Sequence, residues 1–86
     1  MQPQISCFYG ILIWMNYCDH LPPHFHVWYG EYRCTVNIKD GIVKGEMPGR
    51  ALHMVLEWLD SHRAELMDNW ELAQKGAPLN KIEPLD

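Results

Sequence analysis

The stretch HFHVWYGEYRCTVNI, residues 24–38, decides the fold, because it has the pattern of two strands joined by a tight turn. Apolar and polar side chains alternate on both sides of Gly30-Glu31, as they do when one face of a sheet is buried. Glycine is the residue that a type II′ hairpin turn prefers at its first central position. The register that satisfies both faces pairs Tyr29 with Tyr32, Val27 with Cys34, Phe25 with Val36, Trp28 with Arg33, His26 with Thr35 and His24 with Asn37.

Strand patterns continue on either side of this hairpin. Residues 11–17, ILIWMNY, are rich in apolar and β-branched side chains on both alternating faces, which is typical of a largely buried strand. Gly10 marks a turn or bulge just before them. Asp40-Gly41 is a second hairpin signal, so residues 42–46 are expected to return as a further strand.

From Arg50 onward the apolar residues recur at steps of three and four, which indicates helix. One unbroken helix over this pattern would be about 39 Å long at 1.5 Å per residue, which exceeds the expected width of so small a domain. We therefore expect a break near Asp60-Ser61, with one of these residues capping a second helix. Gly76 followed by Pro78 predicts the end of the helical part.

These patterns predict an α+β fold in which an antiparallel sheet of about four strands is packed on one face by two C-terminal helices. The sheet comes from the N-terminal half of the chain. A chain of 86 residues has room for one core, so residues 1–86 are expected to form a single domain. Within it, residues 1–47 are β-rich, residues 48–76 are helical and residues 77–86 are an extended tail.

Composition and charge narrow the function classes. The formal net charge is −4, whereas a protein that coats nucleic acid usually has a basic excess, so any contact with nucleic acid would need a local patch. Three cysteines leave no complete disulfide framework, and the start MQPQIS lacks the basic and apolar regions of a secretion signal. We expect a cytoplasmic protein that does not enter a membrane.

The segment DHLPPHFH, residues 19–26, holds the candidate site. Imidazole and carboxylate groups are ligands that zinc accepts in proteins. Asp19, His20, His24 and His26 therefore form a candidate site for a divalent metal such as zinc, although their spacing matches no standard zinc motif. No other cofactor is expected.

The same segment allows a second interpretation, without a metal. His24 or His26 would act as general acid or base, Arg33 would stabilise a phosphate and Asp19 would orient a histidine, as in a ribonuclease or another phosphodiesterase. The plainest interpretation assigns no chemistry: Asp19 caps a turn, the two prolines stiffen it and the histidines lie on a solvated strand face.

Two long stretches of the chain resemble a family of small bacterial proteins, domain of unknown function 4160 (DUF4160). They are ISCFYGILIWMNYCDHLPPHFHVWYGEY, residues 5–32, and GEMPGRALHMVLEWLDSHRAELMDNWELAQKGAPLNKIEPLD, residues 45–86. Family members are similar in having an Asp-His-x-Pro-Pro-His-Phe-His segment followed by a Tyr-Gly turn. This sequence has Leu21 where a polar residue is common in the family and Cys18 where the family varies, and neither departure disturbs the match.

The resemblance implies no established activity. It does imply a gene arrangement similar to toxin–antitoxin pairs, in which the neighbouring gene encodes a small protein of DNA-binding type. From it we expect a cytosolic component of such a pair that acts through this small protein partner, and self-association is a further possibility. The phosphodiesterase and the metal-binding module through Asp19, His20, His24 and His26 are the alternatives.

Overall fold

The computed structural model describes residues 3–86, and Met1 and Gln2, which begin the predicted β-rich segment, lie outside the described residues. The elements in chain order are β1 (Gln4–Phe8), β2 (Ile11–Trp14), β3 (His24–Tyr29), β4 (Tyr32–Asn37), β5 (Val43–Gly45) and α1 (Gly49–Gln74). All neighbouring strands are antiparallel, and their order in the sheet, β1-β2-β3-β4-β5, is also their order along the chain. The predicted α+β class is confirmed.

The predicted hairpin register is confirmed over all six pairs of β3 and β4, from Tyr29 opposite Tyr32 to His24 opposite Asn37. The prediction of about four strands is wrong, because the sheet has five. The missed strand is β1, which pairs with β2 across the turn at Tyr9-Gly10. A register shift between Gln4 and Ser6 breaks the alternation of buried and exposed residues that would have revealed this strand.

The prediction of two helices is also wrong, because α1 is one helix of 26 residues with a kink. The backbone leaves helical geometry at His62 alone, with φ −128° and ψ 21°, close to the predicted break at Asp60-Ser61. Helical residues on both sides of the kink remain buried, among them Leu59 and Leu66. The kink therefore lets the two parts of α1 pack on the same sheet without a linker between them.

The core lies between one face of the sheet and α1. Alternate strand residues, such as Ile13, Phe25 and Val36, point into it and are fully buried. Trp58 of α1 fills its centre, with ring centroids 5.5 Å from Phe8 and 5.8 Å from Phe25. The intervening strand residues lie on the opposite face, which we call the open face; cross-strand pairing places there Leu12, Trp14, His26, Trp28, Arg33, Thr35 and Lys44.

The C-terminal residues are held against the domain by specific contacts. Asn69 is fully buried on α1, donates through Nδ2 to the carbonyl of Asn80 and accepts the backbone N–H of Asn80 at Oδ1, both at 2.9 Å. The N–H of Ile82 donates to the carbonyl of Ile5 at 2.8 Å, alongside β1. The described residues contain no helix with the length and apolarity that a membrane crossing requires.

Replacing Gly45 by alanine is expected to destabilise the domain by about 1–3 kcal/mol, because its backbone conformation is unfavourable for residues with a side chain. Its φ is +113°, and an added Cβ would lie 2.5 Å from the carbonyl oxygen of Arg33. Urea unfolding measures the loss. Gly49→Ala is the matched control, since its added Cβ meets no atom within 4 Å. An equal loss in both variants would contradict this explanation.

Candidate metal centre

Asp19, His24 and His26 bring three ligand atoms together at the end of β3. One carboxylate oxygen, Asp19 Oδ2, lies 3.0 Å from His24 Nε2 and 3.1 Å from His26 Nε2. The three atoms all lie within 4.8 Å of one another. Neighbouring ligands of a zinc ion at about 2.0–2.1 Å are about 2.9 Å apart at a right angle and about 3.4 Å apart at the tetrahedral angle, so the contacts to Oδ2 have the spacing of ligands that share an ion.

The loop between β2 and β3 positions Asp19, and the C-terminal end of α1 holds this loop. The N–H of Cys18 donates to the carbonyl of Ala73, and Gln74 Nε2 donates to the carbonyl of Asp19, both at 3.2 Å. Within the loop, the N–H of His20 donates to Asp19 Oδ1 at 2.8 Å. This bond fixes the carboxylate so that Oδ2 is presented to the two histidines.

His24 is held rigidly, and its contacts determine where its proton lies. The ring is almost completely buried, with contacts to Trp70 of α1 and to His20. Nδ1 lies 2.8 Å from the carbonyl of Pro22, and because a carbonyl only accepts, Nδ1 must carry a proton. In a neutral imidazole, Nε2 then has a lone pair, and this lone pair faces Asp19 Oδ2. The contact is stable only if Nε2 is also protonated or if a cation lies between the two atoms.

His26 lies on the open face and is held by Trp14 and Asn16. Its ring stacks on Trp14, with centroids 5.2 Å apart and an angle of 14° between the planes. Asn16 Nδ2 and Asp19 Oδ2 lie 3.2 Å and 3.1 Å from the same ring nitrogen, Nε2. When Nε2 is protonated it donates to Asp19, and when it has a lone pair it accepts from Asn16. The form with the lone pair is the one that can bind a metal ion.

The surroundings of Asp19 keep its carboxyl group ionised. Burial alone would raise its pKa, but the hydrogen bond from His26, the backbone hydrogen bond from His20 and the charges of both cluster histidines outweigh burial. The pKa of Asp19 consequently lies below its ordinary value. The group is therefore the anionic form that binds a cation.

The other predicted site residues lie outside this group of three. His20 Nε2 is 3.8 Å from Asp19 Oδ1, and 84% of the His20 side chain is exposed to solvent. Arg33 lies on the open face with its Cζ 4.3 Å from the ring centroid of Trp28. The structure therefore groups Asp19, His24 and His26, with His20 at the rim and Arg33 in a separate stacked pair.

The cluster opens into a groove on the open face. A pocket of about 260 Å³ lies beside it, and its lining includes His24, His26, Thr35, Asn37 and Lys44. An adjoining hollow of about 240 Å³ shares His26, Thr35 and Lys44 with it. A ligand held in the groove would therefore lie next to both histidines, with His26 the more exposed of the two.

The cysteines provide no further site among residues 3–86. All three are free, and Cys34 is buried in the core, as the strand pattern predicts. Burial raises the pKa of its thiol to about 11, so the thiol stays protonated and unreactive near neutral pH.

The family model for domain of unknown function DUF4160 matches residues 10–71. The chain belongs to this family. No curated protein and no solved structure matches the chain. The matched residues of this DUF4160 protein include the whole cluster and most of the open face, so the candidate site lies inside the region that defines the family.

Several residues of the site escape prediction from the sequence. Asn16 and Trp14 come from β2 and the loop after it, and their contacts with His26 depend on the pairing of β2 with β3. Lys44 reaches the same groove from β5, where it lies opposite Thr35. For Asn16 and Trp14, the missing information was the register between two strands separated by a long loop, because only tight turns fix a register locally.

Proposed function

We propose that this DUF4160 protein binds one divalent transition-metal ion through Asp19 Oδ2, His24 Nε2 and His26 Nε2. Two imidazoles and a carboxylate are a common ligand set for catalytic zinc, and for iron(II) as well. The sequence-based proposal with four ligands is thereby reduced to three, since His20 is directed to solvent.

The observation that carries the proposal is the contact of His24 Nδ1 with the carbonyl of Pro22. Histidines that bind metals usually donate their second ring N–H to a carbonyl or carboxylate, which fixes the tautomer and directs the other nitrogen to the metal. His24 has this arrangement, and its other ring nitrogen, Nε2, faces a carboxylate whose second oxygen is already hydrogen-bonded. A cation would resolve the opposed lone pairs.

Three protein ligands would leave further coordination positions for water or substrate, which is typical of catalytic and not of structural metal sites. When bound, the ion would supply a Lewis acid and lower the pKa of a coordinated water, which is the chemistry of hydrolysis. The protein's own contribution is to hold the ligands and to offer Thr35, Asn37 and Lys44 for binding the substrate. We therefore propose a metal-dependent hydrolase.

The metal-free phosphodiesterase, with His24 or His26 as acid or base and Arg33 on the phosphate, is supported less well. Both ring nitrogens of His24 already have partners, and the ring is almost completely buried. The Arg33 guanidinium is stacked on Trp28. A substrate proton would have to reach a nitrogen that Asp19 already contacts.

The family resemblance adds a proposal about context, in which the chain is one component of a toxin–antitoxin-like pair in the bacterial cytoplasm. A hydrolase would be the toxic component of such a pair. The small protein encoded nearby would then inhibit it by covering the groove. This part of the proposal rests on the resemblance alone.

Untagged protein purified without chelators and incubated with zinc is expected to retain about one metal ion per chain, as measured by elemental mass spectrometry. His26→Ala and Asp19→Asn are expected to weaken zinc binding at least about 100-fold, since even groups that only orient ligands contribute about 10- to 100-fold. His24→Ala should behave in the same way, with circular dichroism to confirm its folding.

The matched controls are His20→Ala and His53→Ala, both in exposed histidines outside the three ligands. Both are expected to bind zinc like the unaltered chain. Retention of zinc by folded His26→Ala and Asp19→Asn would contradict the proposed site. A loss of zinc in His20→Ala of the same size would restore the four-ligand hypothesis.

A further inference from the structure

The open face carries a row of planar groups, each in contact with the next, that leads to the cluster. The Arg33 guanidinium lies over Trp28, and Trp28 meets Trp14 edge to face with ring centroids 5.7 Å apart. Trp14 in turn stacks on His26. Trp28 is 37% exposed although it lies in the middle of a sheet. Large aromatic groups exposed on a sheet face are typical of binding surfaces.

The charge of this face differs from that of the whole chain. The formal net charge is −4, but the residues that line the groove within residues 3–86 include the cations Arg33 and Lys44 and no carboxylate. The acidic residues of the helical half, such as Glu57, Asp68 and Glu71, lie on α1, which packs on the other face. Among the described residues, the groove is therefore lined by positively but not by negatively charged side chains, which suits an anionic ligand.

We propose that the occupant of the open face is single-stranded nucleic acid. Every nucleobase has a flat face that stacks on aromatic rings or on guanidinium planes, and its phosphates pair with cations. The row of Arg33, Trp28 and Trp14 supplies the stacking surface, and Lys44 supplies a cation beside it. An acidic protein would use the cations but would not need the stacked row.

This inference deepens the proposed function and rests on it for the reaction. The row ends at His26, so a strand lying along it would bring a phosphodiester to the metal centre. In the hydrolysis, the oxygen of one water forms a bond to phosphorus and the bond from phosphorus to the leaving sugar oxygen breaks. The water loses a proton to solvent, and the leaving oxygen takes one up, so no oxidant or reductant is needed.

The test measures binding separately from metal chemistry. Fluorescein-labelled twelve-residue oligouridine and oligothymidine are titrated with the chelator-treated full chain, and fluorescence anisotropy gives the dissociation constants. Trp28→Ala is expected to weaken binding about 5- to 100-fold, the range for loss of one stacked base. Tyr32→Ala is the matched control and should leave binding unchanged. Tyr32 is about as exposed as Trp28, but its side chain lies on the opposite face of the sheet.

Salt dependence tests the charges. One phosphate contact from each of the groove cations, Arg33 and Lys44, predicts a slope of about −1.4 in a plot of log affinity against log salt. Lys44→Ala should change the slope to about −0.7, since each contact with a single strand contributes about −0.7. Arg50→Ala, on α1, should leave the slope unchanged. Tighter binding of oligouridine would identify RNA as the ligand, and equal binding would support recognition through bases and phosphates alone.

Failure of either oligonucleotide to bind would overturn the inference, and so would equal weakening by Trp28→Ala and Tyr32→Ala. Binding of polyglutamate that is insensitive to Trp28→Ala would show instead that an acidic protein occupies the face. Zinc retention without oligonucleotide binding would leave the metal centre intact and refute only this inference. Oligonucleotide binding without zinc retention would support the nucleic-acid surface and refute the metal centre.

Discussion

Zinc at a hundred times its dissociation constant is expected to raise the melting temperature of this protein by about 11–22 °C. A ligand at this excess that binds only the folded state stabilises it by about 2.7 kcal/mol. In a domain of this size, each kcal/mol shifts the melting temperature by about 4–8 °C. Thermal unfolding followed by circular dichroism, with and without zinc, measures the shift.

Asp19→Asn is expected to reduce this shift to about 2–3 °C or less, because it removes the negative charge while keeping the size of the side chain. Zinc binding that is about 100-fold weaker stabilises the domain by only about 0.4 kcal/mol at the same zinc concentration. His53→Ala is the control, since His53 is exposed on α1 and outside the cluster, and the full shift should remain. If Asp19→Asn shows the same shift as the unaltered chain, zinc stabilises the domain from another site. The proposed centre would then be wrong.

Trp58→Ala is expected to destabilise the domain by about 3–5 kcal/mol, the usual loss for removing a buried tryptophan. The side chain is fully buried, contacts Phe8 and Phe25, and donates through Nε1 to the carbonyl of Glu83 at 2.8 Å. The truncation therefore opens a cavity at the centre of the core and also removes one of the hydrogen bonds that hold the C-terminal residues. Urea unfolding followed by circular dichroism measures the change.

Trp28→Ala is the matched control for this prediction, because it deletes the same atoms from the open face. Its loss should stay below about 2 kcal/mol, the contribution of its contacts with Arg33 and Trp14. Similar losses in the two variants would mean that Trp58 is not the centre of the core. Trp58→Ala can also be introduced into a chain that ends at residue 77. An equal loss of unfolding free energy in the full and the shortened chain would show that the contact of Trp58 with the tail contributes little.

The sequence predicts the central hairpin in full because its information is local. The alternation around Gly30-Glu31 and the turn type fix every pair of β3 and β4. The sequence does not reveal β1, because a bulge interrupts the alternation there. It also does not reveal that α1 continues through His62. A kink and a break between two helices leave the same interruption in an apolar stripe.

The candidate site also has a part that the sequence predicts and a part that it does not. The spacing of His24 and His26 places both on one strand face, which alternation alone predicts. The separate roles of Asp19 and His20 depend on the loop, where no period applies. The loop turns Asp19 inward and His20 outward, because Asp19 is tied to the end of α1 and to its neighbour's N–H.

The hydrogen bonds between the loop and α1 also determine when the metal centre can form. Gln74 and Asp19 are separated by 55 residues, so the bond between them can form only after the chain has been synthesised beyond residue 74. A nascent chain that ends before residue 73 has both histidines and the carboxylate but lacks the two anchors of the loop. Assembly of the cluster therefore requires the C-terminal end of α1 to fold against the loop, although its three ligand residues lie close together in the sequence.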